Sequence, residues 1–312
     1  MSIDRIGSYA NTQLMFTHLM KAENGLDISN RQVATGKVAD NYAGYREKTA
    51  IMEAARSASA RADANAATAI QASARLDVQD TQLTQLSDLA NQIRLTLTKA
   101  AADRDATSLM SQLEGYFDQV VGLMNAKDAN GYIYAGDNNQ TPPVVVNSLA
   151  DLAALPAVAD AFVNGTIKTE VKIGETHNVE VGLLASELGT ELFTLLRQVA
   201  QFDASVDGPF SGITTPAQQT FIESTFPAAI SAQHNVNAQA AANGIHYQTV
   251  AQATEQLKAS SLVYKGFVSN IEDVDMAQAI AQLNQNQVAL QAAFQVTSTL
   301  NRLSLLNYLP IV

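Results

Sequence analysis

Apolar residues recur three and four positions apart along most of this chain. Leu76, Gln79, Leu83, Leu86, Ala90, Ile93 and Leu97 keep that spacing, the a/d seam of a coiled coil. No glycine or proline lies between Ala54 and Glu114. Residues 54–97 therefore predict one helix, which would be about 65 Å long at ~1.5 Å per residue. Leu109, Leu113, Phe117, Val120 and Met124 predict a second amphipathic helix that closes near the turn Asn130-Gly131. Residues 217–265 predict a further long helix, with a candidate break at Asn243-Gly244, where two weak helix formers adjoin.

The middle of the chain changes period. Val144-Val145-Val146, residues 168–173 and residues 178–181 are β-branched and partly alternating, set between Gly, Pro and Asn. Six of the seven prolines fall between Pro142 and Pro227, and the seventh is Pro310. The flanks thus lack the usual helix breakers. The pattern predicts a mainly α fold: an elongated antiparallel helical bundle or coiled coil formed by both chain ends, with a small β-containing central insert. The domains expected are 1–45 with 270–312 as terminal polymerisation helices, 46–137 with 186–269 as a helical rod, and 138–185 as an outward insert. A second irregular stretch is expected at residues 203–216.

The chain ends have a further peculiarity. Residues 276–301 contain no Asp, Glu, Lys or Arg, and neither do residues 6–20. Met276, Ile280, Leu283, Gln287, Leu290 and Phe294 mark a heptad stripe on the last helix, and Ile3, Ile6, Ala10 and Leu14 share a face of the first. The faces opposite carry Gln and Asn where a solvated helix would place charges. Amides can be buried in a contact without the desolvation cost of a charge. These ten residues are the candidate assembly interface, in which the two end helices pair with each other and with neighbouring subunits and gain order on assembly. The alternative is that both helices complete one globular helical core.

Charge narrows the partners. With 19 Lys+Arg against 30 Asp+Glu, the net charge of -11 repels nucleic acid and anionic lipid, so neither is an expected partner. Residues 137–227 alone carry 11 acidic and 3 basic side chains, net -8. The opening Met1-Ser2-Ile3-Asp4-Arg5-Ile6-Gly7 has no basic n-region followed by an apolar run, so no cleaved secretory signal is expected. Cysteine is absent, which removes disulfides, thiolate metal sites and cysteine nucleophiles.

The search for chemistry returns little. His18, His177, His234 and His246 show no metal-ligand spacing, and His177 between Glu175 and Glu180 reads as an exposed loop histidine. Thr35-Gly36-Lys37-Val38 lacks the Ser/Thr and the earlier glycine of a phosphate-binding loop. Asp273 and Asp275 suit the N-terminus of a helix at Met276 better than acid–base catalysis. Asn164-Gly165-Thr166 is a formal glycosylation sequon that reads as a turn, and Tyr132 and Tyr134 read as packing residues. No enzyme activity, cofactor or metal is expected.

Four stretches give the chain a family resemblance. They are residues 32–38 (Gln-Val-Ala-Thr-Gly-Lys-Val), 130–136 (Asn-Gly-Tyr-Ile-Tyr-Ala-Gly), 271–277 (Ile-Glu-Asp-Val-Asp-Met-Ala) and 287–293 (Gln-Val-Ala-Leu-Gln-Ala-Ala). In that order, and with Leu303-Ser304-Leu305-Leu306 near the end, they resemble the bacterial flagellin superfamily, and within it the hook-filament junction branch, the third hook-associated proteins. The sequence departs from that pattern at Asp40-Asn41-Tyr42-Ala43-Gly44. The resemblance implies a structural subunit at the hook-filament junction, exported unfolded by the flagellar type III system to the extracellular flagellum. It implies as partners copies of the chain in a ring or helical layer, the other hook-filament junction protein, flagellin, and a cytoplasmic export chaperone on the C-terminal helix. A divergent filament flagellin and a flagellin-like surface adhesion or binding protein are the alternatives.

Overall fold

The structure is a computed structural model that describes residues 3–174 and 178–306, with side chains described between Gln13 and Thr299. Its helices are α1 (Ile3–Thr35), α2 (Tyr42–Tyr45), α3 (Thr49–Asp103), α4 (Leu109–Met124), α5 (Leu149–Ala154), α6 (Ala185–Asp203), α7 (Pro216–Glu272) and α8 (Met276–Leu306). The strands are β1 (Lys127–Asp128), β2 (Gly131–Tyr132), β3 (Glu170–Lys172) and β4 (Asn178–Glu180), paired antiparallel as β1-β2 and β3-β4. The chain divides into two compact units, Met1–Arg61 with Ser260–Val312, and Ala62–Ala259. Helices α3 and α7 contribute residues to both.

The central unit, 62–259, is built on the predicted seam. Leu76, Gln79, Leu83, Leu86, Ala90, Ile93 and Leu97 of α3 are all buried, as are the five apolar positions of α4. Helix α7 runs antiparallel to α3. Ser87 Oγ meets Asn237 Oδ1 at 2.6 Å and Arg94 Nε donates to Gln233 Oε1 at 3.2 Å, which marks the register. Helix α6 fills the space beside α4 with Leu188, Leu192, Phe193, Leu196 and Val199.

The candidate break at Asn243-Gly244 does not occur, because α7 continues through both residues. Asn243 faces inward and its Nδ2 donates to the Leu76 carbonyl at 2.9 Å, so packing against α3 overrides its weak helix propensity. Pro227 is likewise tolerated inside α7, flanked by the buried Ile222, Ala229 and Ala232.

The middle of the chain holds less strand than the β-branched runs suggest. β3 and β4 fall on the two later runs, but Val144 makes only an isolated bridge to Phe162. The reason is local. Pro142 and Pro143 cannot extend a ladder, and the backbone of Val144 is taken by the Asn125 side chain, which both donates to its carbonyl and accepts from its N–H at 3.0 Å. Ser148 then caps α5. Val144, Val146, Leu149, Leu152, Ala161 and Leu183 join the same buried cluster as α3, α4, α6 and α7.

The remaining unit pairs α1 with α8 and holds the first turns of α3 and the last turns of α7. Among the described residues neither of the two buried hydrophobic clusters includes one from this unit. No described helix is long and apolar enough to cross a membrane.

Candidate assembly interface

Helices α1 and α8 pack antiparallel along their lengths. On α1 the less exposed positions are Met15, Leu19, Ala22, Leu26, Ser29 and Val33, and on α8 they are Ala279, Leu283, Asn286, Leu290, Ala293 and Thr297. Both sets keep the four-three spacing of a coiled-coil seam. The seam is narrow and rich in small residues. At Gly25 the helices lie close enough that an added Cβ would make an ordinary contact with the Asn286 side chain, at 3.4 Å. At its centre Asn286 Nδ2 donates to the Gly25 carbonyl at 3.0 Å and to Ser29 Oγ at 2.7 Å.

This seam corrects the predicted stripe. Leu283 and Leu290 lie on it, whereas Met276, Ile280, Gln287 and Phe294 face outward, as does Leu14. The side chains of Ile3, Ile6 and Ala10 lie outside the described residues. Around Gly25, Ser29 and Asn286 the seam is made of small and polar side chains, while Met15, Leu19, Leu26, Leu283 and Leu290 supply its larger ones. Other large apolar side chains lie on the outside of the pair, with Phe16 59%, Met20 62%, Val288 66% and Phe294 56% exposed. Residues 276–301 place no charge among them.

A buried polar residue in such a seam fixes register at some cost in stability. Replacing Asn286 with Leu is expected to let the pair slip. The chain has no cysteine, so the pair Leu19→Cys and Ala293→Cys offers a direct measurement. Oxidation should cross-link it quantitatively with Asn286 present and poorly with Asn286→Leu.

The base of the pair is held by a second set of contacts. Gly36, at φ +70°, ends α1 and donates its N–H to the Gln32 carbonyl, a left-handed conformation that favours glycine. The next residues pair antiparallel with the α7–α8 connection: Val38 N–H donates to Glu272 O at 2.7 Å, and Val274 N–H to Gly36 O at 2.9 Å. Glu272 accepts from Lys37 Nζ at 2.5 Å and from Arg56 Nη2 at 2.6 Å. The Lys37 hydrogen bond, aided by Arg56 and opposed by partial burial, holds the Glu272 carboxyl below its ordinary range. The same contact raises Lys37. Asp275 caps α8 by accepting from the N–H groups of Ala277 and Gln278, as its place before Met276 suggests, whereas Asp273 accepts from Ser269 of α7. Sequence reasoning missed Glu272 itself, since its two cations come from 216 and 235 residues away in the chain.

The other singled-out residues are structural. Tyr134 is buried with its hydroxyl on Gln82 Oε1 at 2.7 Å, and burial pushes that hydroxyl well above its usual range. Tyr132 lies under Lys127 Nζ at 4.4 Å. Arg75 Nη2 donates to the Ile133 carbonyl at 3.1 Å, so the 130–136 segment is pinned to α3. The Asn164 amide is committed to Gly165 O and to the hydroxyl and N–H of Ser186. Glu180 pairs with Lys168 at 2.9 Å, while Glu175 and His177 lie outside the described residues. Among the described residues no group of three or more His, Cys, Asp or Glu could hold a metal ion.

Comparison with known proteins gives one family match. Residues 228–309, which include most of α7 and all of α8, match the bacterial flagellin C-terminal helical region. No curated protein sequence matches. The fold is flagellin-like, and the proteins that share it are structural and non-enzymatic.

Among solved structures, the chain resembles a protein described as a flagellar hook-associated protein from Vibrio parahaemolyticus, at TM-score 0.59 and 14% identity over 72% of this chain and 97% of that one. It also resembles FlgL of Bacillus cereus, at TM-score 0.53 and 12% identity over 70% of this chain and 98% of the other. FlgL of Xanthomonas campestris gives TM-score 0.53 and 13% identity over 70% and 99%.

Proposed function

We propose that this chain is a structural subunit of the bacterial flagellum, located at the hook-filament junction, where it connects a layer of hook-associated protein to the flagellin filament. The observation that carries the reading is the outer face of the α1·α8 pair, where Phe16, Met20, Met276, Ile280, Val288 and Phe294 are exposed and residues 6–20 and 276–301 carry no charge. The flagellin C-terminal match falls on the same helix, and FlgL-like folds favour the junction over other flagellar positions. The partners are copies of the chain in a ring or helical layer, the other hook-filament junction protein on one side and flagellin on the other. A cytoplasmic export chaperone would cover the apolar face of α8 before export, because that face would otherwise self-associate. The site of action is extracellular.

A filament flagellin is the second reading, favoured by the C-terminal match being to flagellin itself. Position along the flagellum separates the two. A fluorescent label on the protein should form one spot at each hook end in the first case and line the whole filament in the second. The assembly surface has its own test in the double substitution Phe16→Ser with Phe294→Ser. The variant should stay soluble and helical and fail to enter flagella; incorporation at the wild-type level would remove the outer face from the argument.

A further inference from the structure

We infer that Glu272 is the positioning residue of the terminal helices: its carboxylate clasps the end of α1 to the first turns of α3, and so holds the α1·α8 pair ready for assembly. This deepens the assembly reading and rests on it for its functional consequence, though not for the clasp itself.

Three segments converge on this residue. Lys37 follows α1, Arg56 lies in the second turn of α3, and Glu272 is the last residue of α7. The Glu272 side chain is 11% exposed, whereas those of Lys37 and Arg56 are 49% and 37% exposed. The anion is the enclosed partner and the cations form its lid. An enclosed carboxylate is tolerated only while both cations satisfy it, which makes the arrangement conditional on charge. Its backbone takes part too, since Glu272 O accepts from Val38 N–H beside the Gly36–Val274 hydrogen bond. Side chain and backbone thus hold the same turn together.

Other titratable groups nearby have separate tasks. Glu53 shares Arg56 at 3.0 Å, and Asp27 and Asp40 both face Arg31. Asp273 accepts from Ser269, and Asp275 caps α8. Tyr45, beside Lys37, donates its hydroxyl to the Ala39 carbonyl at 2.5 Å. Glu272 is the group whose charge links the three segments. Because its folded value is depressed, the clasp contributes fully above the ordinary carboxylate range and is lost as pH falls through that depressed value. Lys37 is raised, so its side of the clasp persists through the ordinary lysine range and is lost as pH rises beyond it.

Hydrogen exchange of the full chain, corrected for the intrinsic pH dependence of exchange, reads the clasp at the Val38 and Val274 amides. At neutral pH the wild type should protect both, and acidification below the carboxylate range should lower protection about tenfold. Glu272→Gln should show the lowered protection at every pH with unchanged helical content. Should that variant fail to fold, Lys37→Met cuts one arm and should shift protection the same way by less. Unchanged protection and pH profile in the folded variant would overturn the clasp. Loss of protection with wild-type entry into flagella would overturn the positioning role. A wild-type chain that enters no flagella would count against the assembly reading alone, since the exchange result judges the clasp independently.

Discussion

Removal of residues 276–312 is expected to melt a helix that the cut does not touch. Helix α1 packs on α8, and an isolated helix of its composition has too little intrinsic stability to persist in water. Circular dichroism should therefore report the loss of α1 together with α8. The unit 62–259 should survive, because both buried hydrophobic clusters lie wholly within it. The truncated protein should be soluble, retain a cooperative thermal transition, and be absent from purified flagella. Entry of the truncated chain into flagella would place the assembly surface elsewhere. Retention of the α1 signal would show that α1 does not depend on α8.

The second large effect is expected at Phe193. Its ring is fully buried, 5.4 Å from Phe117 and 5.0 Å from Phe162 between ring centroids, so it joins α4, α6 and the segment after α5. Phe193→Ala removes a large side chain that its neighbours cannot replace and should lower the stability of the 62–259 unit by about 3–5 kcal/mol. Urea denaturation followed by circular dichroism measures this. The same substitution should leave the Leu19→Cys/Ala293→Cys cross-link unaffected. A loss below about 1 kcal/mol would mean that the site collapses around the missing ring.

Most of the helical architecture was legible from residue spacing, for a physical reason. Leu76 through Leu97 and Leu109 through Met124 are large, regularly spaced and buried on one side, and that arrangement leaves a period in the sequence. Propensity misled at Asn243, where a carbonyl on α3 uses the amide that seemed to mark a break. It also misled at Val144, whose strand partner is a side chain.

On the end helices the period marks a helix but does not say which of its faces meets the partner. The seam of the pair shares Leu283 and Leu290 with the stripe on α8 and otherwise runs through Ala279, Asn286, Ala293 and Thr297. Four of the six stripe residues on α8, Met276, Ile280, Gln287 and Phe294, consequently lie on the outside of the pair. The Glu272 clasp left no signal at all, because contacts between residues more than 200 positions apart have no local period.

Electron microscopy of cells lacking the protein tests the central claim most directly, since a junction layer is required for filament attachment and for nothing earlier. Complete hooks without filaments, with flagellin shed into the medium, are expected, and the wild-type chain supplied in trans should restore filaments. Filaments of normal length and number in the deletion strain would contradict the account.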